Sequence, residues 1–204
     1  MFISIYEDNI ATKHVQVLVK CLEDDGVCII PTDTLYSFVC SIDSHKAAKR
    51  LADLKGKKLE KSTFSILCSS LSMASMYVKP LSNKQFSFIK SLETGGFTFV
   101  LNASGLIPKI FQTKKRTIGI RISQNNIVNS IINYLSKPLL VTSVPKDKDG
   151  ETITNAELLY ELYGNMTDIT VESSNVRNIP STVLDMTDGD NYEIIREGLG
   201  VIKL

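Results

Sequence analysis

Ile29-Ile30-Pro31-Thr32-Asp33-Thr34-Leu35-Tyr36-Ser37-Phe38 opens as a strand and breaks into oxygens. The apolar run from Val27 to Ile30 reads as a short interior strand. Pro31 then removes a backbone donor and ends the regular ladder. Two threonine hydroxyls, a carboxylate and a phenol follow before the chain turns apolar again at Phe38. Hydroxyls packed between apolar runs need partners, because a buried unsatisfied one costs ~1–3 kcal/mol. Those partners are backbone, water or a ligand. One reading is a turn in which Asp33 and Thr34 satisfy local backbone groups. The other is a polar strand end, where open α/β sheets place their ligands. These ten residues alone leave both open.

Working outward, the totals narrow the class. A chain of 204 residues, 43% hydrophobic and 22% charged, is long enough for a sizeable core and is read as one domain, 1–204. A formal net charge of +1 gives no global attraction to nucleic acid, so any basic footprint must be local. The four cysteines form no Cys-x-x-Cys pair and there are only two histidines, so no metal site is expected. Cysteines within or beside apolar runs read as reduced thiols. No targeting peptide or membrane-length apolar run is evident, and the expected setting is the cytoplasm, with no membrane partner.

Periodicity supplies the elements. Ala11 to Asp25 reads as a helix facing inward through Val15, Leu18, Val19 and Leu22, with Gly26 ending it. Ser44 caps a second helix carrying Ala47, Ala48, Leu51 and Leu54, which runs into Lys55-Gly56-Lys57-Lys58-Leu59-Glu60-Lys61. That lysine run is either a solvated loop or a cationic overhang, because a strand, Thr63 to Leu67, follows it. Helical patterns at Leu71–Tyr77 and Asn83–Ser91 lead to the Gly95-Gly96 break and the strand Phe97–Leu101. Thr117-Ile118-Gly119-Ile120-Arg121 alternates polar and apolar, and Asn126 caps the next helix. Pro138–Thr142 is an apolar strand, 144–154 a charged loop that reads as a mobile flap, and Asn155–Tyr163 a helix. Strands near Ile169, over Pro180–Met186 and over Tyr192–Glu197 complete the chain. Not every connection is long enough for a helix, so the fold class is α/β, a single twisted mixed sheet with flanking helices.

Hydroxyls or cations stand where several of these apolar runs stop: Thr32, Thr34, Tyr36, Lys55, Lys57, Lys61, Thr98, Arg121, Thr142, Ser143, Ser181, Thr182 and Arg196. No Asp–His–Ser set, dinucleotide-binding glycine motif or Walker motif is evident. A donor-rich, carboxylate-poor set suits phosphate and carboxylate oxygens. A catalyst built this way acts by positioning and charge neutralisation, not through a covalent nucleophile.

From about Val15 onward the chain resembles the YrdC/YciO family of threonylcarbamoyl-AMP synthase-like proteins. Pro31-Thr32-Asp33-Thr34-Leu35-Tyr36 matches that family's Pro-Thr-Asp-Thr-x-Tyr opening. Lys55-Gly56-Lys57 with Lys61, Phe97-Thr98, Gly119-Ile120-Arg121, Thr142-Ser143, Pro180-Ser181-Thr182 and Arg196-Glu197-Gly198 fall in the order of its later motifs. The resemblance implies a concave basic face and a reaction joining ATP, L-threonine and bicarbonate, on the route to N6-threonylcarbamoyladenosine in tRNA. Carried over, Lys55, Lys57 and Arg121 serve catalysis, and Thr34, Tyr36, Thr98 and Arg121 hold the threonine or its carbamate. Lys55, Lys57, Thr142, Ser143, Ser181 and Arg196 face the nucleotide, and Mg²⁺ arrives transiently with ATP. Lys57, Lys58 and Lys61 form a footprint for tRNA or double-stranded RNA, and other tRNA-modification proteins are implied partners.

The likeness is closer to the YciO branch because of four departures. Ser37 replaces a glycine, Lys57-Lys58 an Arg-Pro, Ser62-Thr63 a Pro-Leu, and Val144-Pro145 an Ala-Asn. The last substitution removes an amide donor and acceptor, and Pro145 offers no N–H in return. Two alternatives therefore stand beside the synthase. One is a paralogue that binds tRNA or double-stranded RNA and nucleotide without this turnover. The other is a nucleotide-binding protein with a different acyl or carbamoyl substrate. If the resemblance holds, Thr34, Lys55, Thr98, Ser143, Ser181 and Arg196 line one cavity.

Overall fold

The computed structural model describes residues 1–92, 95–174 and 176–202, within which lie ten strands and six helices. The strands are β1 (Phe2–Ser4), β2 (Cys28–Ile30), β3 (Ser37–Ser41), β4 (Ser65–Cys68), β5 (Phe97–Asn102), β6 (Thr117–Ile122), β7 (Leu139–Ser143), β8 (Ile169–Glu172), β9 (Thr182–Asp185) and β10 (Glu193–Arg196). The helices are α1 (Thr12–Glu23), α2 (His45–Leu54), α3 (Leu71–Met76), α4 (Asn83–Ser91), α5 (Asn126–Leu135) and α6 (Ala156–Tyr163).

All ten strands join one twisted sheet in the order β1-β8-β2-β3-β7-β4-β6-β5-β9-β10. Four neighbouring pairs are parallel and five antiparallel, so the sheet is mixed. Successive side chains on a strand point to opposite faces, and burial here follows that rule. Ile29, Phe38, Cys40, Ile66 and Leu140 join one apolar cluster with residues of α2, α3, α4 and α6. Their neighbours Cys28, Ile30, Val39, Leu67 and Leu139 join a second cluster under α1 and α5. The sheet is thus covered on both faces, but α1 and α5 reach only part of theirs. Beyond β7 that face carries Ser65, Thr98, Val100, Gly119, Arg121 and Val183, which line a cleft.

Several boundaries differ from the sequence reading. Asn125, not Asn126, caps α5: its side chain accepts from the Val128 amide at 3.0 Å. Helix α1 ends at Glu23 with Asp24 as its cap, and the left-handed residue there is Asp25 (φ 61°), not Gly26. Leu54 is only partly buried, at the margin of its cluster. Strands β1 and β3 were not anticipated; β1 forms by pairing with β8. The segment 144–154 is a loop folded on Asp147, whose carboxylate accepts from the Asp149 and Glu151 amides. The other helices and strands lie where periodicity placed them, within a few residues.

Candidate functional site

The bare part of the α1/α5 face is a cleft of about 400 Å³. Register builds its floor. Ser65 on β4 sits opposite Gly119 on β6 and Val141 on β7, and Gly119 sits opposite Val100 on β5. Thr98 is opposite Val183 of β9, which is opposite Arg196 of β10. Residues two apart on one strand share a face, so Arg121 joins Gly119, and Ser181 joins Val183. Gly119 keeps this floor open. A methyl there would run into the Ser65 side chain and lie 3.2 Å from Thr98 Cγ2.

Three polar clusters stand on the floor and rim. Lys55, which caps the C-terminus of α2, donates from Nζ to the Ser143 carbonyl at 2.9 Å. Burial, and then the neighbouring charge of Lys57, pull the Lys55 ammonium below the usual lysine range. Ser181 is the second centre: its Oγ lies 2.7 Å from Thr98 Oγ1, and Arg196 Nη2 donates to that same Oγ at 3.2 Å. Arg196 also grips the Ser181 carbonyl through Nε (3.1 Å) and Nη2 (2.7 Å). Burial and the proximity of Arg121 lower the Arg196 pKa from its ordinary value. The third is Arg121, whose Nη2 donates to Thr34 Oγ1 (2.7 Å), Asp33 Oδ1 (3.0 Å) and Thr32 Oγ1 (3.4 Å). Its Nε is buried with no partner.

The oxygens of the opening stretch now have their partners. Thr32 Oγ1 donates to the Leu35 carbonyl at 2.7 Å and accepts from the Thr34 amide, as a local turn requires. Asp33 and Thr34 instead reach across the sheet to Arg121 on β6. Local and distant satisfaction therefore coexist in three residues.

Eight of the residues singled out from sequence line the cleft: Lys55, Lys57, Thr98, Arg121, Thr142, Ser143, Ser181 and Arg196. Thr34 is not in its wall but buried, with its hydroxyl on Arg121. Tyr36 lines an adjoining lobe of about 410 Å³ that shares Lys55, Ser143 and Arg196 with the cleft and is otherwise walled largely by Leu35, Val144, Pro145 and Ile153. The Tyr36 hydroxyl accepts from the Ser173 amide at 3.3 Å, and burial raises its pKa. Lys58 and Lys61 are exposed and line neither lobe. Ser65 and Thr117 were missed as wall residues, although each is in phase with the polar side of its strand. Among the described residues no carboxylate lines either lobe, and no cluster of three His, Cys, Asp or Glu is placed to hold a metal ion.

This motif order and this sheet can be set against known proteins. The family model for Sua5, YciO and YrdC, described as "Telomere recombination", matches residues 20–198. The chain belongs to the Sua5/YciO/YrdC family. It is 28% identical to the uncharacterised protein YciO of Escherichia coli K12 over 203 residues, covering 99% of this chain and 97% of that one. The crystal structure of E. coli YciO superposes with a TM-score of 0.91 over 100% of this chain and 98% of that one, at the same 28% identity. A threonylcarbamoyl-AMP synthase of Coxiella burnetii (strain RSA 331) is 26% identical over 162 residues, 79% of this chain and 86% of that protein. The P. abyssi Sua5 crystal structure complexed with L-threonine shares the fold, with a TM-score of 0.86 at 20% identity over 97% of this chain. This chain spans 57% of that longer Sua5 chain. No helix among the described residues is long and apolar enough to cross a membrane.

Proposed function

We propose that this protein is an L-threonylcarbamoyladenylate synthase-like enzyme, condensing L-threonine, bicarbonate and ATP with release of water, as the amine and bicarbonate join to N-carboxythreonine, and of pyrophosphate. The observation that carries this reading is the gathering of eight hydroxyl and cationic residues, from Lys55 to Arg196, around one cleft. In this reaction the carboxylate of N-carboxythreonine attacks the α-phosphorus, and the bond to pyrophosphate breaks with the electron pair leaving on the departing group. Two anions must approach, and Lys55, Lys57 and Arg196 supply the opposing charge. Thr98 faces the amino-acid portion and Ser181 the nucleotide beside Arg196, with Arg121 reaching the threonine carboxylate or the phosphates and Thr34 acting through it. The apolar lobe of Leu35, Val144, Pro145 and Ile153 suits the flat face of a nucleobase. Mg²⁺ would arrive with the nucleotide's phosphates as part of the substrate. In support, a relative of this chain is named threonylcarbamoyl-AMP synthase.

The decisive measurement is pyrophosphate release from ATP in the presence of threonine and bicarbonate. Release that depends on both supports the reading, and its absence at saturating substrate removes it. A second reading, RNA docking without turnover, is favoured by the position of Lys58 and Lys61, exposed outside the cleft and free for a larger polyanion. Replacing Lys57, Lys58 and Lys61 with Gln is then expected to reduce the slope of log affinity against log salt by about two to three for a duplex, near the ~0.7–0.9 per neutralised phosphate of counterion release. An unchanged slope removes the lysine loop from that footprint.

A further inference from the structure

Behind Arg121 lies an ion pair that none of the roles above uses. Asp33 Oδ1 meets Arg121 Nη2 at 3.0 Å, with each side chain only 10% exposed. The other carboxylate oxygen, Oδ2, accepts from the Gly96 amide at 2.8 Å. Gly95 and Gly96 turn with φ of 84° and 77°, a conformation glycine adopts without steric cost, and a methyl on Gly95 would lie 3.2 Å from Asp33 Oδ2. The Gly96 carbonyl in turn accepts from the Thr182 amide, and the Thr182 hydroxyl bonds the Gly198 amide and the Gly200 carbonyl. One carboxylate oxygen is therefore fixed by main chain, and the direction of the other is set with it. Arg121 Nη2 is fully engaged by three acceptors on that side, and the buried Nε has none.

We propose that Asp33 is a positioning residue: anchored by the Gly96 amide, it sets the plane in which the Arg121 guanidinium meets an anion bound in the cleft. This rests on the reading of the cleft as an oxyanion site and adds a residue that itself touches no ligand. The sign of the effect separates positioning from charge. By Coulomb attraction alone, deleting a negative charge beside the cleft tightens the binding of every anion. Losing the orientation of Arg121 weakens it.

The probe is inorganic pyrophosphate, titrated calorimetrically into the full chain without ATP or threonine. Asp33→Asn is expected to weaken binding by about ten- to a hundredfold, the range known for outer partners of metal-ligand side chains. Tighter or unchanged binding overturns the proposal, as does a parent chain that does not bind pyrophosphate. The same substitution is then made on Arg121→Gln, which keeps Lys55, Lys57 and Arg196 and leaves no guanidinium stranded. There Asp33→Asn is expected to shift affinity by less than about twofold, the tolerance of independent sites. A second drop as large as the first means that Asp33 acts on the fold at large, and the proposal fails. A chain that shows this coupling yet releases no pyrophosphate from ATP with threonine loses the synthase reading and keeps the role of Asp33.

Discussion

Burial and a neighbouring lysine both lower the Lys55 pKa, and its Nζ donates to the Ser143 carbonyl at 2.9 Å. Lys55 stands on the rim where both lobes meet, which is where the proposed reaction needs an anion-binding side chain. Lys55→Ala is expected to lower threonine-dependent pyrophosphate release by about a hundredfold or more, as removal of a preorganised transition-state donor does. Lys58→Ala, exposed and outside the wall, is expected to leave the rate within a factor of about two, since a screened surface charge is worth little. Equal losses in the two variants contradict the cleft assignment. Cysteine chemistry gives a second residue-level check. The Cys28 thiol donates to Cys21 Sγ at 3.7 Å, which lowers the Cys21 pKa and raises that of Cys28. Burial pushes Cys68 up to about 12 and raises Cys40 as well. Iodoacetamide at mildly alkaline pH is therefore expected to label the half-buried Cys21 first, with Cys28, Cys40 and Cys68 reacting only on denaturation. Peptide mass mapping that finds Cys40 or Cys68 modified in the native chain contradicts it.

Two adjacent asparagines make the start of α5 a clean test at the level of the element. Asn125→Ala removes the cap on the Val128 amide and is expected to cost about 1 kcal/mol in urea unfolding, whereas Asn126→Ala is expected to cost a few tenths at most. The opposite order restores the cap suggested by sequence. That one-residue error shows where sequence runs out: both positions carry the same amide, and only the backbone turn decides which one faces the helix. Alternation was readable on β6, where Thr117, Gly119 and Arg121 fall on one side of the strand, whereas Thr98 on β5 was singled out by its hydroxyl and by the family resemblance. It was unreadable on β3, because four of its five residues are buried and both faces are covered. β1 has three residues and a partner about 168 positions away, which no local window sees. The motif located Thr34 and Tyr36 in sequence but not in depth, since their burial depends on what β6 and β8 bring over them. Gly119→Ala tests the floor itself: its methyl meets Ser65 across the β4–β6 pair. It is expected to weaken pyrophosphate binding more than it lowers the melting temperature; the reverse balance assigns Gly119 to the core.

For the molecule as a whole, acid stability has an identifiable source. Asp168 Oδ2 accepts from the Val27 amide at 2.7 Å and pairs with Arg50 Nη1 at 2.8 Å, joining the approach to β8 to β2 and α2. Burial opposes ionisation of Asp168, but the Arg50 and Val27 hydrogen bonds outweigh it and hold its pKa below the usual aspartate value. A carboxyl with a depressed folded pKa stabilises the fold above its unfolded pKa of about 4, and that stabilisation disappears as pH falls through the lower folded value. Asp168→Asn is thus expected to destabilise the protein at pH 7, and the gap from the parent narrows below about pH 4. Urea midpoints across that range check it, and a constant gap refutes the linkage. The same topology governs the order in which the chain can come alive during translation. Thr98 and Ser181, now in contact, are separated by 83 positions, and Arg196 emerges later still. Elongation delivers the far bank of the hollow only with its final strands, so a product arrested short of Ser181 lacks both the partner of Thr98 and Arg196, however well its early helices have set.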